Sequence, residues 1–279
     1  MPILVKKGDG TLEPLDYNKV KRALRRAGVG RALREEVIDS LQEEVYENIS
    51  TEKIYKLAFS QLRKLKPGAA ARFSLKSALL RLGPNGYPFE TFMGSLLKGR
   101  GYETELRQIV RGKCVAHEID VIVKRMKMEG HAKTKSIVEC KFHNSPHLKC
   151  RIQSALYSWA RFLDIREKDR SFDSCWLATN TKFTSDVVQY GDCVGLKLLG
   201  WSFPKNESIQ IRIDENKLYP ITVIPKLKRR TFNLLHNAGI ILVKELADAP
   251  DNELRKAGLG EWEIGKLKEK CVQIISNKK

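Results

Sequence analysis

Apolar positions change period along the chain. Val5 to Asp16 carries two short strand-like pieces on either side of Asp9-Gly10, a pair that favours a hairpin turn. Asp16 can cap a helix with Val20, Ala23 and Leu24 on its inner face, a second helix is expected over about Arg34 to Tyr46, and Ser50-Thr51 can cap a third carrying Ile54, Leu57, Ala58, Gln61 and Leu62. Phe89, Phe92, Met93, Leu96 and Leu97 form a further helical stripe. The period then becomes strand-like. His117-Glu118-Ile119-Asp120-Val121-Ile122-Val123 and Ser136-Ile137-Val138-Glu139-Cys140-Lys141-Phe142 are β-branched runs bounded by polar residues. Ile152 to Ala160 reads as a helix, Cys175 to Asn180 as a strand, Thr184 to Gly191 as a helix and Gly195 to Trp201 as a last strand. From about Ile224 onward four helices are expected (Leu227 to Asn237, Val243 to Ala249, one opening at Asp251, and Trp262 to Ile275), broken at Gly239 and again at Gly258-Leu259-Gly260. Pro204, Pro220 and Pro225 mark a linker before them.

These changes divide the 279 residues into three expected domains, 1–82, 83–217 and 218–279. The expected fold class is α/β multidomain: a β-hairpin with a helical bundle, a mixed sheet flanked by helices, and a small helical domain. Lys and Arg number 51 against 33 Asp and Glu, a formal charge of +18. The excess is spread over all three segments, so no basic tail carries it, and it favours a polyanionic partner. The six cysteines include no Cys-x-x-Cys, which argues against a zinc ribbon and for reduced thiols used as small apolar residues. The N-terminus lacks the order of a signal peptide, and no apolar run approaches a membrane span. A cytoplasmic protein that does not engage membranes is expected.

The two acid-bearing runs hold the candidate chemistry. Alternation along a strand puts Glu139 and Lys141 on one face. If the two strands pair, Asp120 comes beside Glu139, and two carboxylates with a lysine suit a hard divalent cation and a phosphodiester. Glu90 lies near the start of the preceding helix. Gln153 and Tyr157 are four apart and share a helical face.

The order of Glu90, Asp120, Glu139-x-Lys141 and Gln153-x-x-x-Tyr157 resembles the PD-(D/E)xK nucleases, and most closely the Mrr-type restriction endonuclease-like domain, over about Pro88 to Pro204. The resemblance implies Asp120 and Glu139 as ligands of Mg²⁺ or Mn²⁺ and Lys141 as the group that steers the attacking water or offsets charge in the transition state. It implies Glu90 as an outer-shell or second-metal acid, Gln153 as a group that orients the substrate or a ligand, and Tyr157 as a support for Gln153 or a ring stacked near the strand. The segment Lys124 to Lys135 departs from it as a long loop. At the N-terminus, Val5, Lys7, Asp9, Gly10, Glu13, Pro14, Asp16 and Lys19-Val20 resemble the ATP-cone, with Gly8 and Leu15 in place of the usual Arg and Phe. This implies ATP or dATP as a regulatory ligand, with Lys7 and Lys19 near phosphates, Val5 against the base and Glu13 in the same site. The chain has no phosphate-binding loop of an ATP hydrolase. The glycine turns at Gly239, Gly258 and Gly260 resemble a helix-hairpin-helix pair, which implies DNA-phosphate contacts aided by Lys228, Arg229 and Arg230.

The expectation is thus a nucleotide-regulated endonuclease acting on double-stranded or branched DNA. Two-strand cleavage calls for a homodimer or rebinding. The rivals are a non-catalytic nucleotide-sensing DNA-binding regulator and an RNA-processing nuclease.

Overall fold

The computed structural model describes residues 3–8, 10–83, 85–125 and 135–276. Asp9 of the expected hairpin turn and residues 126–134 of the loop between the acid-bearing strands lie outside them. In chain order the elements begin with β1 (Leu4–Lys6), β2 (Leu12–Pro14), α1 (Tyr17–Arg26), α2 (Arg31–Glu44), β3 (Ile49–Ser50), α3 (Thr51–Leu65), α4 (Pro67–Phe73) and α5 (Leu75–Leu80). They continue with α6 (Tyr87–Lys98), β4 (Tyr102–Arg111), β5 (Ala116–Arg125), β6 (Lys135–Lys141), β7 (Lys149–Cys150), α7 (Ile152–Lys168), β8 (Phe172–Thr179), β9 (Lys182–Phe183), α8 (Ser185–Val194), β10 (Lys197–Leu199) and α9 (Ile209–Asn216). A 3₁₀ turn (Ile221–Val223) leads to α10 (Arg229–Asn237), α11 (Val243–Asp248), α12 (Asp251–Lys256) and α13 (Glu261–Ile275).

The chain forms two compact units. One joins residues 1–78 with 221–234 and 243–279, and the other joins 79–220 with 235–242. Most of the segment expected as a separate C-terminal domain therefore folds in one unit with the N-terminal bundle.

In the first unit β1 lies between β2, antiparallel, and β3, parallel. Asp16 caps α1 by accepting from Asn18 N–H at 2.9 Å, and Ser50 caps α3 by accepting from Lys53 N–H at 3.1 Å, which satisfies amides that a helix start leaves open. The core gathers Val5, Leu24, Ile38, Leu41, Ile49, Ala58 and Leu62 with Ala69 and Ala70 of α4. Helix α4 meets α13 closely. A Cβ on Gly68 would lie 2.0 Å from the Gln273 carbonyl oxygen. The buried Arg72 donates to the carbonyls of Ala27 at 2.9 Å and Ile274 at 2.6 Å, bridging 202 positions of sequence. Thr222 adds a bond from its hydroxyl to the Ala78 carbonyl at 2.8 Å.

The second unit is built on a five-stranded sheet of order β10-β8-β6-β5-β4. Strands β4, β5 and β6 pair antiparallel, and β6-β8-β10 pair parallel. Helices α7 and α8 supply the crossovers that parallel neighbours require. One core contains Ile119, Ile122, Ile137, Phe162, Ile165, Cys175 and Leu177. The segment between Pro204 and Pro220, read as a linker, instead holds α9, whose Ile209 and Ile213 are fully buried. Ser208 caps it by accepting from Ile211 N–H, and the prolines bound this helix. All six cysteines are free, four of them buried. Among the described residues no helix is long and apolar enough to cross a membrane.

Candidate functional site

The sheet of the second unit loses its pairing at Asp120 on both sides. Between β4 and β5 the register runs Leu106↔Val121 and then Gln108↔Ile119, so Arg107 and Asp120 face each other in an interval that the ladder skips. Between β5 and β6 the ladder ends at Val121↔Val138, one step before Asp120 would oppose Glu139. Arg107 there adopts φ 50°, in the left-handed region that side chains with a Cβ seldom occupy. Between β4 and β5 pairing resumes in unchanged register, so on that side the irregularity is local. It releases Asp120 from the ladder: the Oδ2 atom accepts from the Cys140 backbone N–H at 2.7 Å.

Three acids share this region. Glu90 lies in the first turn of α6, after Pro88, and is 8% exposed. Its Oε2 accepts from Arg107 Nη1 at 3.4 Å, and the same Nη1 is 3.3 Å from the Thr91 hydroxyl. Burial and the neighbouring Asp120 charge push the Glu90 carboxyl up to about 7, against the pull of Arg107. Glu139 is also raised to about 7, by burial first and the Asp120 charge second, with Arg161 and Lys141 opposing. Burial raises Asp120 as well, and the Cys140 amide draws it down. Desolvation disfavours each carboxylate, and each worsens the position of the others, which is how pockets for cations or shared protons are arranged.

Lys141 follows Glu139 by two positions on β6, is exposed and makes no ion pair among the described residues. Glu139 Oε2 accepts from Arg161 Nη1 at 2.5 Å. Gln153 and Tyr157 are exposed on α7, and the Arg161 guanidinium sits 5.1 Å from the Tyr157 ring centroid. Gln153, Tyr157 and Arg161 recur every four residues and so form one stripe. The structure thus brings Glu90, Asp120 and Glu139 into mutual electrostatic reach with Lys141. It adds two arginines, Arg107 and Arg161, that the sequence reading did not single out. Arg161 could have been found by extending the stripe one turn, whereas Arg107 has no local signature. No group of three or more His, Cys, Asp or Glu among the described residues is arranged to hold a metal. The histidines near the acids are structural. His117 Nε2 lies 2.7 Å from Asp164, whose carboxylate also accepts from the Cys114 and Val115 amides and is held well below the usual carboxylate range. His143 exchanges two backbone bonds with the Asn180 side chain.

In the first unit, Glu13 on β2 binds both Lys7 (2.6 Å) and Lys19 (2.9 Å), and these lysines hold its carboxyl below its ordinary value. The Val5 side chain is 2% exposed and belongs to the core. Lys228, Arg229 and Arg230 are exposed where α10 begins. In this unit Gly258 takes φ 95° after α12, and Gly260 caps the start of α13. In the other unit Gly239 takes φ 78° after α10, where its N–H donates to the His236 carbonyl. Both left-handed glycines are the helix-ending kind that a side chain would strain.

Comparison with known proteins bears on the N-terminal segment and on the family of the chain. The ATP cone domain matches residues 3–78, which supports a nucleotide, ATP or dATP, as a regulatory ligand of that segment. The model for the C-terminal region of AF1548-like proteins matches residues 219–275. An uncharacterized protein of Archaeoglobus fulgidus is 38% identical over 183 residues, which span 66% of this chain and 99% of that protein. The crystal structure of AF1548, described as a protein of unknown function, is 34% identical with a TM-score of 0.60, covering 68% of this chain and 98% of that one. With a relative of this identity matched over almost its whole length, the chain belongs to the AF1548-like family, and carries an ATP cone at its N-terminus.

Proposed function

We propose that this protein is a metal-dependent DNA endonuclease whose central sheet is of the restriction-endonuclease-like kind and whose ATP cone regulates it. The observation that carries the reading is the skipped pairing at Asp120, which turns its carboxylate toward β6 beside Glu139, with Glu90 and Lys141 close by. Strand order and directions support it, with three antiparallel strands followed by two parallel ones and the acids on β5 and β6.

The donor set fits Mg²⁺ or Mn²⁺. Mg²⁺ is commonly held by one or two carboxylates plus waters and substrate phosphate, so Asp120 and Glu139 suffice without a third protein ligand. A bound ion there would lower the pKa of a water and polarise a phosphodiester. Asp120 is oriented for this by the Cys140 amide. Lys141, without an ion pair among the described residues, would meet the attacking water or the charge building on phosphate. Glu90 is positioned to accept from an outer water. Gln153, exposed on the first turn of α7, faces solvent as an orienting amide. The basic start of α10 and the Gly258–Gly260 turn are the proposed DNA-holding surface, a phosphate-positioning contact rather than a sequence-reading one. A homodimer would place two such sites on the two strands of one duplex.

A second reading is a non-catalytic, nucleotide-sensing DNA-binding regulator. It is favoured by the Glu139–Arg161 pair, which already neutralises one of the two proposed ligands. Nicking of supercoiled plasmid with Mg²⁺ or Mn²⁺, with and without EDTA and with ATP or dATP titrated in, decides between them. EDTA-sensitive nicking that Asp120→Ala and Glu139→Ala abolish is the expected result. DNA binding without nicking would establish the regulator, and preferential cutting of RNA in the same assay would establish an RNA-processing enzyme.

A further inference from the structure

We infer that Arg161 is a positioning residue that competes with the divalent ion for Glu139, so that the site fills poorly until a phosphodiester is present. This rests on the cleavage reading above, since it concerns the same carboxylates. Arg161 is buried to 7% exposure, and its Nη1 donates to Glu139 Oε2 at 2.5 Å. Arginine keeps its charge at every working pH, so an ion arriving between Asp120 and Glu139 meets a permanent positive charge one hydrogen bond from its second ligand. Asp120 is held differently: its hydrogen bond comes from a neutral backbone amide, and Arg161 and Arg107 reach it through their charge without an ion pair among the described residues.

Arg161 is also incompletely satisfied. Its Nε is buried and has no hydrogen-bond partner among the described residues. A purely structural arginine at such a depth would ordinarily use its whole fork, because an unmet buried donor is costly. Here one edge is committed to Glu139 and the plane is steadied by the exposed Tyr157 ring. An arginine held in that way can change partners. A phosphate entering beside Glu139 offers it a second anion, and Glu139 is then free to take the cation. Metal and substrate would in this way enter together.

The test is Mn²⁺ binding to the DNA-free protein at pH 8.5, followed by the electron paramagnetic resonance signal of the free ion, with thermal unfolding as a check of folding. Arg161→Gln should bind Mn²⁺ about tenfold more tightly than the natural protein, the order expected from removing one nearby charge in a partly screened site. Tyr157→Ala, at a position 60% exposed and therefore tolerant, should loosen the guanidinium and tighten Mn²⁺ severalfold. Glu139→Gln should weaken binding in every background. If folded Arg161→Gln and Tyr157→Ala bind Mn²⁺ no better than the natural protein, the inference is overturned while the metal site stands. If Arg161→Gln fails to fold, Tyr157→Ala decides alone. Absence of Mn²⁺ binding in all variants would overturn the metal-dependent reading itself, and this inference with it.

Discussion

Asp120, Glu90 and Glu139 show how single side chains are tuned by where the sheet opens. Glu90 and Glu139 are both raised to about 7 from an ordinary 4.5. A carboxyl whose folded value is raised holds its proton where the unfolded chain has lost it. Its contribution to stability is therefore complete below pH 4.5 and fades as the pH rises through 7. For Glu90 the shift corresponds to a loss on the order of 3 kcal/mol at pH 8. Glu90→Gln should consequently raise the midpoint of urea unfolding at pH 8 and leave it nearly unchanged at pH 4.5. A larger gain at the acid end would contradict the burial argument. On the side of activity, Lys141→Ala should reduce Mg²⁺-dependent nicking by about 100-fold or more, as loss of a group acting on transition-state charge does, with little effect on DNA affinity. The placement of Asp120, Glu139 and Lys141 on neighbouring strands was readable because each interrupts a β-branched run whose alternation fixes the face, and that of Glu90 because it follows Pro88 at the start of an apolar helical stripe. Arg107 and Arg161 were not singled out. A cation that reaches a site from another strand or a later helical turn leaves no mark beside the residues it serves.

At the scale of elements, the strands that hold the acids and the helices α6 and α7 follow directly from apolar periodicity. Strand β4 does not. It lies at the sheet edge, reads Tyr-Glu-Thr-Glu-Leu-Arg-Gln-Ile-Val-Arg and exposes most of its residues, so it lacks the apolar run that would announce it. Helix α9 was obscured by the prolines on either side of it. Helix α13 was readable as a helix and α4 was not read, and their contact depends on the missing Cβ of Gly68. Gly68→Ala should force them apart at the Gln273 carbonyl and cost about 1–3 kcal/mol, a typical cost of overpacking. Chemical denaturation of the full chain measures it. No loss would mean that the two helices do not meet as closely as described.

At the scale of the whole molecule, the formal charge of +18 and the nucleotide-binding segment each make a solution property testable. Affinity for duplex DNA should fall steeply with added salt, since each neutralised phosphate releases counterions. A flat salt response would exclude a phosphate-dominated contact. ATP or dATP at about 100 times its dissociation constant should stabilise the protein by about 2.7 kcal/mol, as any ligand confined to the folded form does. Lys19→Ala should remove that gain by taking away one of the two lysines gathered at Glu13. The ATP cone was legible because its pattern is compressed into one hairpin and the helix after it.

The bridge from Arg72 to Ile274 also bears on how the protein is born. The first unit needs α13, whose residues leave the ribosome last of all the described elements, before Gly68 and Arg72 have anything to close upon. The sheet that carries the acids, by contrast, draws nearly all of its residues from one continuous stretch and can assemble while synthesis is still under way. On this view the segment that senses nucleotide matures after the segment with the acids. Nascent chains halted before Glu261 should therefore resist protease across the sheet while remaining open to it along α1 to α4.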